Sequence, residues 1–237
     1  MERMTRGASL RERCLVAIRA GIITGEIRPG AMYSAPALAQ QLGVSATPVR
    51  EAMLDLANEG MVEPVRNRGF RVVDLSDKDL DEIHAIRLLL EVPSVVALTG
   101  DRRLLTDGVV TELRTMCSEL EQHAEEEDVA ALIDADTEFH NALLGLSGNE
   151  RLVELVSRLR NQTLRYGMRH ASHSVLIATA TDHRKIVDAI VSTDKAEVQR
   201  VMEAHLAANR GVLAAAVDDE EPPVDSAGTA ALGRALA

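Results

Sequence analysis

Four residues in the C-terminal two-thirds of the chain have the types and spacing of a metal site. Asp136 and His140 are four apart in "DADTEFHNALL", so on a helix they are separated by about 40° and project together. They share a stripe with Leu132, Phe139, Leu143 and Leu144, which marks the inward side of such a helix. His183 shares its face with Ile186, Val187 and Ile190, and His205 with Val198, Val201 and Met202. One carboxylate and three imidazoles therefore point inward from three helices. A lone inward histidine is usually a hydrogen-bonded core residue, because burying a polar group without a partner is costly. Four such groups together suit a divalent ion, and Zn, Mn and Ni all accept them. The set leaves open positions on an octahedral ion and none on a tetrahedral one. His84 and His123 sit among charged residues and His170 and His173 flank a helix end; these read as solvated or structural.

A second chemistry lies in "GVSATPVREAM", residues 43–53. Ser45 and Thr47 are short, polar and placed at a helix start, where they can hydrogen-bond phosphate or base edges. The helix N-terminus itself attracts phosphate. Arg50, in the second turn, can reach guanine O6 and N7 in bidentate fashion. Further on, Arg66, Arg68 and Arg71 surround Gly69, whose lack of a side chain allows close approach to a groove or a sugar-phosphate backbone. Taken alone, "SATP" is also simply a good helix start and the arginines solvated side chains.

These residues need elements to hold them. The chain has 237 residues, 46% hydrophobic but only 2% aromatic, so its core must be built from Leu, Val, Ile, Ala and Met, and its Ala- and Leu-rich stretches favour helix. The length fits one large domain or two medium ones. No run of 18 apolar residues and no apolar signal-peptide core is present, so a cytoplasmic protein without a membrane span is expected. Cys14 and Cys117 are far apart and read as reduced thiols. The net charge of -11 is unevenly spread: residues 1–73 hold ten Arg and no Lys against seven acids, a surplus of three positive charges, and the remainder is strongly acidic. A polyanion-binding module joined to a part that avoids polyanions fits this asymmetry.

Periodicity and caps predict a helix over 8–23, a second after the Ser34 cap with Pro36 in its first turn and Gly43 behind it, and a third from Ser45 to about Asn58 with Val49, Met53, Leu54 and Leu56 inward. Met61–Val65 and Phe70–Val73 read as strands flanking the turn "RNRG". From Ser76 onward, helices are expected near 77–99, 104–126, 128–146, 150–170, 180–192 and 194–216, the first kinked at Pro93. The fold class is therefore mainly α: a winged helix–turn–helix domain over 1–75, an all-helical bundle over 76–216, and a loose tail over 217–237.

"GEIRPGAMYSAPALAQQLGVSATPVREAMLDLANEGMVEPVRNRGFRV" resembles the DNA-binding domain of the GntR family of bacterial transcription regulators. The likeness rests on the Pro-Gly before the second helix, "LA..LGVS.TPVREA", "L..EG" and the arginine-glycine wing. The family's contacts fall on Thr47, Arg50 and Gly69; where it usually carries a DNA-contacting arginine, this chain has Ala46. "DADTEFHNALLGLSGNERL" and "DHRKIVDAIVSTDKAEVQRVMEAHL" are similar to the helical effector domain of the FadR subgroup, called FCD, in its metal-binding version. The resemblance implies a central divalent metal held by Asp136, His140, His183 and His205, whose open positions receive a small carboxylate effector. Arg87, in "IRLLLE", lies beside Leu80, Ile83 and Leu90 and is placed either to meet that carboxylate or to pair with Glu91 one turn on. The whole then reads as a ligand-responsive regulator, more often a repressor, that binds a palindromic double-stranded DNA operator. Two short recognition helices need two half-sites, so a homodimer is expected. Two rivals are a regulator for which the ion itself is the signal, and a metal-dependent hydrolase. The hydrolase lacks a nearby general base and leaves the DNA-binding module unexplained.

Overall fold

Each helix of the N-terminal part is set by its own caps. The structure, a computed structural model, describes residues 9–168 and 171–218. Helix α1 (Leu10–Thr24) opens with a reciprocal capping box between Ser9 and Glu12 and closes on Gly25 at φ 80°. Helix α2 (Ala35–Leu42) is capped by the Ser34 hydroxyl, which accepts from the Ala37 N–H, and ends at left-handed Gly43. Helix α3 (Ala46–Asn58) buries Val49, Ala52, Met53 and Leu56, the i, i+3, i+4, i+7 row of an amphipathic helix. Leu54, expected inward, is 47% exposed; Ala52 completes the row instead. These side chains share one core with Ile18, Ile27 and Leu38, closed by Phe70 and Val72.

Phe70 and Val72 come from the wing. Strands β2 (Val62–Val65) and β3 (Gly69–Val72) pair antiparallel, with Glu63 opposite Arg71. A short strand not anticipated from sequence, β1 (Met32–Tyr33), pairs with the other edge of β3, giving the order β1-β3-β2. Gly69 sits at φ 111°, and a Cβ there would collide with the Tyr33 carbonyl oxygen and stand 3.1 Å from the Ser34 Cα. The protein's own backbone therefore requires this glycine.

The described residues divide into two compact units, one ending at Asp74 and the other beginning at Leu75. The second is all helix: α4 (Asp77–Leu98), α5 (Asp107–Glu125), α6 (Val129–Gly145), α7 (Glu150–Met168), α8 (His173–Ser192) and α9 (Lys195–Asp218). Ser76 and Asp79 form the capping box of α4. This helix continues through Pro93. The carbonyl that loses its donor there belongs to Leu89, which lies on the solvent side at 74% exposure. Helix α8 begins at His173, earlier than the expected 180, after a Ser172 that makes no side-chain cap bond. Helix α4 packs on α6, α7 and α9, α5 on α6 and α8, and α8 on α9. The interior faces of α4, α6, α7, α8 and α9 thus meet in one place. His170 and residues 219–237 of the expected tail lie outside the described residues.

Gly69→Ala should destabilise the N-terminal unit by about 1–3 kcal/mol, through a strained backbone and the collision with Tyr33. Denaturant unfolding followed by circular dichroism measures this; an unchanged midpoint would mean that the wing does not close on β1.

Candidate metal centre and DNA-facing surface

Helices α6, α8 and α9 bring Asp136, His140, His183 and His205 together. All four are buried, and one ligand atom from each lies within 4.8 Å of the others. Each lies on the apolar stripe expected for it: Leu132, Phe139, Leu143 and Leu144 flank the first pair, Ile186, Val187 and Ile190 flank His183, and Val198 and Met202 flank His205, all of them buried, while Val201, expected on the same face, is half-buried. Phe139 lies edge-on to both His140 and His183, with ring centroids 5.2 and 4.9 Å away.

The hydrogen bonding of His183 fits a cation. Its Nδ1 lies 3.0 Å from the Thr179 carbonyl oxygen and 3.2 Å from that of Ala180, while its Nε2 lies 3.0 Å from Asp136 Oδ1. A neutral ring has one N–H, so it serves one side and sets a lone pair against an acceptor on the other. With the proton on Nδ1, a cation between Nε2 and Asp136 resolves the conflict. Beside it, His140 Nε2 and His205 Nε2 face each other at 3.2 Å, a spacing that either one shared N–H or one ion can bridge. Two donors held about 2.1 Å from an ion stand about 3.0 Å apart at a right angle and about 3.4 Å apart at the tetrahedral angle. Both observed separations fall in that range, so each of these two donor pairs fits shared ligation of one ion.

Electrostatics favours the ligating forms of Asp136, His140 and His205. Burial alone would raise the Asp136 carboxyl, but the Arg160 guanidinium and the neighbouring imidazoles outweigh it and hold the group well below the usual carboxylate range. Burial, and then Arg160, push His140 well below the usual imidazole range. Burial, and then His183, do the same for His205. Both rings are thereby biased toward the neutral form, in which one nitrogen carries a lone pair.

Around the four lies a layer that the sequence reading did not assemble. Arg160, on α7, is completely buried and donates to Asp136 Oδ2 through Nη2 and to Glu91 Oε2 through Nη1 at 3.1 Å. Arg87 donates from Nε to Glu91 Oε1 at 2.6 Å, so the i,i+4 pair expected as one of its two roles is present. Asn209 Nδ2 lies 3.3 Å from His205 Nε2. A signal for this layer was available. Leu80, Ile83, Arg87, Glu91, Val95 and Leu98 are all buried on one row of α4, and Val156, Arg160 and Thr163 on one row of α7; charged residues set in inward rows need buried partners. Of the remaining histidines, His84 and His123 are half-buried and His173 is exposed, 3.2 Å from Glu127.

At the other site, Ser45, Thr47 and Arg50 are exposed on the first turns of α3, and Arg66 and Arg68 are exposed at the wing tip. Ser45 is the N-cap residue yet makes no side-chain cap bond, unlike Ser9, Ser34 and Ser76, so its hydroxyl is available. Arg11, Arg19 and Arg71 are paired with Asp55, Glu59 and Glu63. Among the described residues, Arg50, Arg66 and Arg68 form no ion pair.

A helix–turn–helix with a basic wing, joined to a helical bundle with a polar heart, defines a DNA-binding transcription regulator. The chain matches "Bacterial regulatory proteins, gntR family" over residues 10–72 and "FCD domain" over residues 82–208. It belongs to the GntR family, with an FCD domain as its helical part. It is 30% identical over 208 residues to an HTH-type transcriptional regulator in an unstable DNA locus of Streptomyces ambofaciens, covering 86% of this chain and 85% of that one. It is 24% identical over 196 residues to the HTH-type transcriptional repressor GlaR of Escherichia coli, covering 78% and 87%. Among solved structures it resembles E. coli McbR/YncC with a TM-score of 0.70 and 25% identity, over 88% of this chain and 99% of that one. None of the described helices is long and apolar enough to cross a membrane.

Asp136→Asn should leave the buried Arg160 without half of its compensation and cost about 3–5 kcal/mol of stability in metal-free buffer. Urea unfolding in chelator tests this; a loss below about 1 kcal/mol would mean that the Asp136–Arg160 pair is solvated.

Proposed function

We propose that this protein is a homodimeric, ligand-responsive repressor that reads a palindromic operator with residues 1–75 and senses a small carboxylate through a divalent ion in residues 76–216. The observation that carries the sensing half is the buried pair of His183 Nε2 and Asp136 Oδ1, 3.0 Å apart, in a ring whose other nitrogen faces two carbonyls. Asp136, His140, His183 and His205 would hold Zn, Mn or Ni. When bound, the ion supplies a Lewis-acid anchor for an anion in an otherwise acidic domain. Two buried donors favour an anionic effector: Arg87 Nη2 and Arg160 Nε have no hydrogen-bond partner among the described residues, and a carboxylate would satisfy them. His205 also lines a groove of about 490 Å³ with Asp182, Lys185, Asp188 and Arg200, which supports entry of an ion from that side.

On the DNA side, Ser45 and Thr47 would meet phosphate or base edges, Arg50 a guanine, and Arg66 and Arg68 the flanking groove, with Gly69 shaping the wing behind them. The exposed Ile86 and Leu89 on α4, 42% and 74% accessible, support a dimer face. Effector binding then shifts the two DNA-binding units between arrangements, by as much as its affinity differs between them. Such a regulator works in the cytoplasm, beside its operator.

Arg50→Ala should cost roughly 1–3 kcal/mol of operator affinity per half-site. Ala46→Arg should tighten DNA binding and steepen its salt dependence by about one unit per added phosphate contact. Footprinting and salt titrations at matched conditions measure both; an Arg50→Ala protein with wild-type affinity would place the groove contact elsewhere. For the sensing half, purified protein should carry one divalent ion per chain by elemental analysis. His183→Ala should lose the ion and the effector response while residues 9–74 stay folded. A wild-type protein that takes up no Zn, Mn or Ni and still answers its effector contradicts the metal centre. Ion addition alone switching operator affinity would instead make the ion the signal.

A further inference from the structure

We propose that Glu91 is a positioning residue for the metal centre: its carboxylate orients His140 and balances the two buried guanidiniums that flank the ligand set. This rests on the metal reading of Asp136, His140, His183 and His205. Glu91 is fully buried on α4 and comes from none of the helices that supply those four residues. Its Oε1 accepts from Arg87 Nε at 2.6 Å and its Oε2 from Arg160 Nη1 at 3.1 Å. The same Oε2 lies 3.6 Å from His140 Nδ1, a buried nitrogen with no hydrogen-bond partner among the described residues. His140 Nε2 is the atom turned toward His205 and the ligand cluster.

A ring that gives its Nε2 lone pair to an ion must carry its proton on Nδ1, and that proton needs an acceptor. Glu91 Oε2 faces it, a few tenths of an ångström beyond hydrogen-bond distance. A bound ion would polarise the Nδ1–H and strengthen its attraction to Oε2, and the carboxylate would in turn orient the ring and raise the basicity of Nε2. Charge acts in the same direction. Arg87 and Arg160 are matched by Glu91 and Asp136, so the group is neutral before an ion arrives. Removing the Glu91 charge leaves a surplus positive charge beside the place where a divalent cation must sit. Orientation and Coulomb interaction therefore both predict weaker binding without this carboxylate.

The test uses Co²⁺ as a spectroscopic probe with the full-length chain. Wild type should bind one Co²⁺, with visible d–d bands that report its geometry. Glu91→Gln should weaken Co²⁺ affinity by about 10- to 100-fold in a competition with a chromophoric chelator and shift those bands, because His140 is no longer held. The double variant Arg87→Gln/Glu91→Gln restores the charge balance and keeps the result interpretable if the single variant folds poorly. It should regain part of the affinity but keep the shifted bands. Circular dichroism in chelator confirms that each variant is folded. Glu91→Gln or the double variant binding Co²⁺ with wild-type affinity and an unshifted spectrum overturns the role of Glu91 and leaves the metal centre standing. A wild type that binds no Co²⁺, Zn²⁺, Mn²⁺ or Ni²⁺ overturns the metal centre, and this inference with it.

Discussion

Two carboxylates with no access to water organise the helical domain. Glu91 on α4 and Asp136 on α6 are both buried, and Arg160 on α7 spans them. An unpaired buried ion costs several kcal/mol even after relaxation. Helices α4, α6 and α7 are therefore tolerated only in the arrangement that places this guanidinium between the two acids. The chain has very few aromatic rings to fill its interior, and one of them, Phe139, is spent as a wall edge-on to His140 and His183. The rest of the core is aliphatic, so polar pairing rather than jigsaw packing of large rings fixes how these helices meet. Helices α8 and α9 then deliver His183 and His205 against the same centre.

Much of this was legible in the sequence because the signals were local. Ser34, Gly43 and Ser76 mark helix ends through bonds within three or four residues of themselves. The four candidate ligands stood out because each is one polar residue in an otherwise apolar row. Where a partner lies far along the chain, the signal weakens. Arg160 meets Glu91 across 69 residues, and a charged residue read in isolation is taken as solvated. Strand β1 has two residues and no periodicity, and it exists because β3 offers an unpaired edge. Leu54 reads as core by type, while its place on α3 turns it to solvent and gives the inward position to Ala52. The early start of α8 was hidden because Ser172 makes no cap bond and "SHSVLIATATD" mixes polar and β-branched residues.

The DNA-binding unit makes a related distinction on its surface. Its positive surplus is small, so the number of arginines matters less than how each is used. Arg11 and Arg19 tie α1 to α3 and its C-cap through Asp55 and Glu59, and Arg71 pairs with Glu63 across the two wing strands. Arg50, Arg66 and Arg68 are left exposed on the turns where a helix–turn–helix and its wing present themselves to a duplex. Ionic pairing thus sorts scaffold arginines from those available to phosphate and bases. In the helical domain the same pairing holds Asp136 below the usual carboxylate range and sets Glu91 between Arg87 and Arg160.

The most direct test of the metal centre is anomalous diffraction at the metal edge from crystals of the full-length protein grown with Zn²⁺, Mn²⁺ or Ni²⁺. One strong anomalous peak per chain is expected, bonded to Asp136, His140, His183 and His205. Its absence with every one of these ions, or peaks confined to exposed groups such as His173 and Glu127, would contradict a metal centre in the helical domain.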